Sequence, residues 1–400
     1  MIMQPQQTKG PEVADVFRQF DSVYRKTHKL SLQQHNAMNA IIACRTAALG
    51  GFIDKCDTCG YERVSYCSCR NRHCPKCQAL AKGKWLLARK QDLLPISYFH
   101  VVFTMPDSLN PLARVNQKVV YNILFKAGSE TLLELGRDPK HLGAEIGIIA
   151  VLHTWGQNLM DHPHLHCIIT GGGLSKDGSQ WIYPKKTQKG NEFFVHVNVI
   201  STLFKKKFMA YLKDAYDAGK LKFVGKISYL QSKIQFNKFK DELYNKKWIT
   251  YCKETFGKPD NVINYLGGYT HRVAISNNRI VKFEDAKVTF KWKDYSEHNK
   301  DKLMTLQASE FIRRFLLHIL PKGFFKIRYY GILSNRNHKT KLAKCKDVLK
   351  VIESEQDLTS IDWIDFFFDL TGIDLRICPV CKQGRMIPKG KITPFNHSPP

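Results

Sequence analysis

Acidic residues are scarce in this chain. Against 62 Lys and Arg there are only 35 Asp and Glu in 400 residues, a formal net charge of +27 with histidine neutral. An excess of this size points to a polyanionic partner, and nucleic acid is the commonest polyanion. Long apolar runs are missing too. No stretch approaches about 18 uninterrupted apolar residues, so no spanning helix and no membrane partner are expected. The opening MIMQPQQTKGPEVADVF has no basic segment leading into an apolar core, so no secretory signal is expected. Internal repeats and low-complexity tracts are absent. Evenly spread cysteines are absent as well: of 12, seven lie between Cys44 and Cys77 and two form Cys378-Pro-Val-Cys381. Clustered CxxC pairs without an export signal indicate metal thiolates in a reducing compartment, and a cytoplasmic location is expected.

Apolar residues make up 43 % of the chain, enough for two or three domains with real cores. After a weakly helical start and the cysteine-rich stretch, AKGKWLLARKQDLL reads as a basic amphipathic helix ending at Pro95. YFHVVFTMP, EIGIIAVLHTW and LHCIITGGG read as strands, the last two pairing antiparallel across a short loop. FFVHVNV (193–199) reads as a further strand, followed by a helix capped by Ser201. A Lys-rich helix is expected over 236–256, and a hairpin around Asn277-Asn278. The order of elements predicts an α+β fold with an antiparallel sheet, flanked by metal-stabilised modules. Three segments are expected: an N-terminal helical and zinc-binding domain (1–95), a catalytic domain (96–295) and a C-terminal basic region carrying the second CxxC (296–400).

Cys56-x-x-Cys59 and Cys74-x-x-Cys77 are separated by 14 residues. Two such knuckles can meet and offer Zn²⁺ four thiolates, the closed coordination of a structural site. Cys69 or His73, inside the same loop, is an alternative ligand, with Cys67 and Cys44 close by. Arg70, Arg72 and Lys76 load the knuckle with positive charge and favour a DNA-facing role. Cys378 and Cys381 supply half of a second site, with Cys345, His338 and His397 as possible completions.

DHPHLHCIITGGG (161–173) places His164 and His166 on one side of a strand with Leu165 opposite. Two neutral imidazoles on one face are ready ligands for a divalent cation, Mg²⁺ or Mn²⁺, whose remaining positions phosphate oxygens can take. His153 or Gln157 on the preceding element is the candidate third ligand. In NYLGGYTHR, Tyr265 and Tyr269 stand four apart and share a helical face. A phenol beside a metal-bound phosphate can attack it, and the phosphotyrosine so formed keeps the energy of the broken bond for rejoining. YxxxY alone is usually core packing. The combination carries the reading.

That combination resembles the two-tyrosine HUH transposases of the insertion-sequence-91 type, HUH denoting His-hydrophobic-His, here His164-Leu165-His166. The likeness runs through CRTAALGG, SCRNRHCPKCQ, VVFTMPDSLNPL, HTWGQNL, HPHLHCIITGGG, YLGGYTHRVAIS, VTFKWKDY and LPKGFFKIRYYG. It implies an HUH-type palm with a central antiparallel sheet, an N-terminal zinc-binding domain, and rolling-circle-like movement through single-stranded element ends. It also implies that His164 and His166 are metal ligands and that Tyr265 and Tyr269 are the nucleophiles. Two positions depart from the family pattern. Gly268 stands in place of a basic residue, and with Gly267 weakens the tyrosine helix by roughly 1 kcal/mol per glycine. Phe52 replaces a histidine before Cys56.

In KGFFKIRYYGILSNRNHK, Lys326, Arg328 and Arg336 can pair with phosphates while bases stack on the interleaved rings. The same pattern fits a half-buried strand with core aromatics. A plasmid replication initiator or conjugative relaxase would use the same chemistry on an origin. A non-catalytic zinc-ribbon regulator would bind DNA without breaking it.

Overall fold

The alternating apolar residues of YFHVVFT, GIIAVLHTW and DHPHLHCIIT become three adjacent strands. The computed structural model describes residues 10–186, 192–255, 262, 265, 267, 272–294, 297–351 and 362–395. The chain forms two units, each built from non-consecutive segments: 1–87 with 271–319 and 354–400, and 88–270 with 320–353. This differs from the three consecutive segments expected. A strand near residue 390 hydrogen-bonds to one near residue 50, and a strand near residue 330 joins the sheet of the second unit.

The second unit is organised on a five-stranded antiparallel sheet. Its strands are β1 (Tyr98–Thr104), β2 (Gly147–Trp155), β3 (Asp161–Thr170), β4 (Thr250–Thr255) and β5 (Ile327–Gly331), in the spatial order β4-β1-β3-β2-β5. Strand side chains alternate between faces, and here the two faces differ in chemistry. Phe99, Val101, Phe103, Ile148, Ala150, Leu152, Leu165, Cys167 and Ile169 point to one face and belong to a continuous core. Four helices close that core: α1 (Asn110–Val115), α2 (Gln117–Arg137), α3 (Val197–Asp217) and α4 (Lys233–Asn245). They contribute Leu112, Phe125, Phe204, Phe208 and Phe236 among others. Phe103 meets Phe204 at 4.4 Å between ring centroids, and Phe208 meets Trp248 at 5.1 Å. Each such side chain contributes about 1.5–3 kcal/mol by leaving water. The opposite face presents His100, His153, His164 and His166.

Gly331 ends β5 with φ +61°, and a Cβ there would lie 1.8 Å from the carbonyl oxygen of Ile146. Gly331→Ala is therefore expected to cost more than the roughly 1–2 kcal/mol that left-handed backbone alone imposes on a residue with a Cβ. Chemical denaturation measures it.

Among the described residues, the first unit holds two small antiparallel sheets. In one, strand Gly51–Cys56 lies between Glu62–Tyr66 and Met386–Ile392. The other orders Ile280–Glu284, Lys287–Asp294 and Lys300–Gln307. Helix Leu32–Ala43 starts at a capping box of Ser31 with Gln34. Helices Val13–Thr27 and Ala308–Leu317 meet through Phe17 and Phe315, 5.3 Å apart.

Three local expectations are corrected. The strand expected over 193–199 is limited to Phe193, because α3 begins at Val197 and His196, not Ser201, caps it. Ile200, Phe204, Phe208 and Leu212 recur at helical spacing and are buried, so packing overrides the β preference of the valines. The Lys-rich helix stops at Asn245, and Thr250–Thr255 instead extends the sheet beside β1. The hairpin turns at Asp285-Ala286, both with positive φ, while Asn277-Asn278 lie in a single helical turn. Among the described residues, no helix is long and apolar enough to cross a membrane.

Candidate metal centres and active site

The sheet register brings the histidines together. His153 of β2 pairs directly with His164 of β3, and His166 follows two residues on, on the same face. One nitrogen from each lies within 4.8 Å of the others. The ring centroids of His166 are 4.7 Å from those of both His153 and His164. His153 is 2 % exposed and His166 9 %, so the cluster sits in a protected surface with His164 its most open member. Nδ1 of His164 donates to the carbonyl oxygen of His162, which makes Nε2 the lone-pair nitrogen that a metal would take. The donor set therefore fits a divalent ion with open positions for other ligands. Of the two candidates for third ligand, His153 joins the cluster, and Gln157 lies in the turn between β2 and β3.

A fourth histidine, His100, escapes sequence reasoning. It lies on β1 among Phe99 and Val101, in register with Ile168 and diagonal to His166. Its Nε2 lies 2.9 Å from Nδ1 of His166, the rings stacked at 5.1 Å. Its Nδ1 lies 2.7 Å from the Oη of Tyr265. His100 is 5 % exposed, and burial pushes its imidazole down to about 4, so the ring is neutral at physiological pH. The available signal was a histidine at mid-strand between fully apolar neighbours. Half-buried Tyr265 thus touches the histidine system; Tyr269, Gly268 and His271 lie outside the described residues.

The cysteines group differently from the expectation. Cys74 and Cys77 join Cys44 and Cys69, while Cys56 and Cys59 join Cys378 and Cys381. Sulfur separations are 3.5 Å for Cys44–Cys77, 3.6 Å for Cys69–Cys77, and 3.7 Å for both Cys56–Cys381 and Cys59–Cys378. The single site built from both N-terminal pairs is therefore corrected to two. The cause is strand pairing: Cys56 stands opposite Met386, which brings the 378–381 turn onto the first knuckle. Gly384 makes that approach possible, since a Cβ there would lie 2.4 Å from the sulfur of Cys56. Cys44, at the end of helix Leu32–Ala43, reaches the second knuckle instead. Burial pushes the Cys44 thiol up to about 11, and the adjacent Cys69 together with burial raises that of Cys74. A dication would offset that cost, and four thiolates form the closed set of a structural zinc site. His73 and Cys67 belong to neither group. Cys345 is buried in the other unit, where His338 pairs with Asp92 instead of a cysteine; His397 lies outside the described residues.

The basic candidates separate as well. Arg70 is exposed on a left-handed turn, Arg336 is exposed, and Arg72 and Lys326 are half-buried. Arg328 is committed to packing. Its guanidinium lies 4.0 Å from the Phe125 ring centre and 5.0 Å from that of Phe324, and it donates to Oδ1 of Asn122 at 2.6 Å. As a phosphate contact it is withdrawn.

The chain matches two family models, one described as "Putative transposase" over residues 147–341 and one as "Transposase zinc-binding domain" over residues 16–105. It is 49 % identical over 381 residues to "Putative transposase y4qJ" of Sinorhizobium fredii, covering 94 % of each chain. It is 25 % identical over 317 residues to "Transposase for insertion sequence element IS801" of Pseudomonas savastanoi, covering 78 % of this chain and 73 % of that one. No solved structure matches it. The first model contains His153, His164, His166 and Tyr265, and the second contains six of the eight clustered cysteines. The chain belongs to the transposases of the insertion-sequence-91 family.

Proposed function

We propose that the histidine face is an HUH nuclease site that cuts and rejoins single-stranded DNA through phosphotyrosine. The observation that carries this reading is the contact of Tyr265, through His100, with the cluster of His153, His164 and His166. A divalent ion held by those three imidazoles, Mn²⁺ or Mg²⁺, would neutralise and orient the scissile phosphate. The protein's own part is to present a phenol at a fixed place beside it, which turns a bimolecular attack into an intramolecular one.

Tyr265 attacks the phosphorus, its oxygen forming the new P–O bond as the bond to the 3′-oxygen breaks. The phenolic proton passes to water and the released 3′-oxygen takes one up. The DNA 5′-phosphate is then esterified to tyrosine and a 3′-hydroxyl is free. Tyr269 serves a second transfer of the same kind, so that two strand exchanges proceed without a nucleotide cofactor. The two four-cysteine centres hold structural zinc, and exposed cations such as Arg70 and Arg336 contribute to binding the element ends.

The test is incubation with single-stranded DNA carrying the ends that flank the gene, in Mn²⁺. A covalent protein–DNA adduct should form, and Tyr265→Phe with Tyr269→Phe should abolish it. An adduct of undiminished yield in the double variant overturns the assignment.

A further inference from the structure

His100 is used by neither family-style motif, yet it stands between the nucleophile and a metal ligand. We propose that it is a positioning residue: a neutral imidazole that donates to the phenolic oxygen of Tyr265 and couples that oxygen to the cation held by His166. The inference rests on the nuclease reading above.

The direction of each hydrogen bond follows from valence. With His166 as a neutral ligand bound through Nε2, its proton is on Nδ1. That Nδ1–H can only donate to its neighbour 2.9 Å away, so Nε2 of His100 is the acceptor. A neutral imidazole carries a single N–H, which places the proton of His100 on Nδ1, 2.7 Å from Tyr265 Oη. The phenolic oxygen is thus the acceptor, and His100 is not the base that deprotonates it. A cation held by His166 would polarise that ring and, through it, His100, and the chain ends in an N–H aimed at the oxygen where negative charge develops. The device also fixes the phenol in place. His100 is buried at mid-strand between β4 and β3, so its ring has little room to turn.

His100→Ala and His100→Gln are compared with the unaltered full chain, in Mn²⁺ with single-stranded element ends, and adducts on Tyr265 and Tyr269 are quantified separately by peptide mass spectrometry. His100→Ala should lower the Tyr265 adduct by about 10–100-fold, the usual cost of removing a partner behind a metal ligand, while the Tyr269 adduct changes little. His100→Gln should restore part of the loss, because its carbonyl can accept from His166 and its NH₂ can donate to the phenol. A second readout needs no DNA. With 3-fluorotyrosine at position 265, Mg²⁺ should shift the fluorine resonance in the parent, and His100→Ala should remove most of that shift while the chain still binds Mg²⁺.

Equal loss at both tyrosines in His100→Ala, or a Mg²⁺-induced shift that survives it, overturns the coupling and leaves the nuclease reading intact. A parent protein that forms no adduct on either tyrosine overturns both.

Discussion

Changing His164 and His166 together to alanine is expected to lower the rate of strand cleavage by about a thousandfold or more. A cation at the scissile phosphate supplies several kcal/mol of transition-state charge stabilisation, and each 1.4 kcal/mol is a factor of ten in rate. If the three imidazoles hold that ion as proposed, removing two of them forfeits the term, since His153 alone offers one nitrogen. The fold should survive, because both side chains lie on the face opposite the core that Leu165, Cys167 and Ile169 help to build. Circular dichroism would check the fold, and single-turnover cleavage of an element-end oligonucleotide would measure the rate. A double variant that cuts within tenfold of the parent would remove the histidine face from the chemistry.

The second large effect concerns zinc. The purified chain should carry two zinc ions, and Cys378→Ser with Cys381→Ser should leave one. Structural zinc binding is worth about 10–16 kcal/mol in small domains, as much as the whole stability of an ordinary fold. Stripping both ions with a chelator should therefore unfold the unit that contains the eight cysteines. The helix-backed sheet of the other unit, with its own aromatic core, should keep its structure. Elemental analysis gives the stoichiometry, and amide hydrogen exchange shows which strands lose protection. One zinc in the parent, or two in the double variant, would refute the split of cysteines into two centres.

Sequence patterning went furthest where the physics is local. Strands β1, β2 and β3 announce themselves by alternation, and His164 with His166 share a face because strand geometry leaves no other choice. The α+β class followed from the order of such segments. What stayed hidden depends on register and on distant pairing. That His153 joins the cluster follows from the alignment of β2 against β3. His100 acquires meaning only when β1 is slid to its place beside β3, and a lone histidine between Phe99 and Val101 reads as ordinary core. The 14-residue spacing of the two N-terminal CxxC pairs allowed them to meet, but strand Met386–Ile392 claims the first pair from far along the chain. Arg328 shows the reverse error, a cation whose composition points to phosphate while its neighbours are Phe125 and Phe324. At Asp285-Ala286 the turn lacks the usual asparagine–glycine pair, so the hairpin was looked for at Asn277-Asn278.

Cys59 and Cys378 stand 319 positions apart. At ribosomal speeds of about 5–20 residues per second, roughly 15–60 s separate the emergence of one half of this centre from the other. Through that interval the nascent chain exposes an incomplete dithiol, open to oxidation or to a stray ion. Pairing of strand Gly51–Cys56 with Met386–Ile392, and with it closure of this centre, must therefore await synthesis of the later strand.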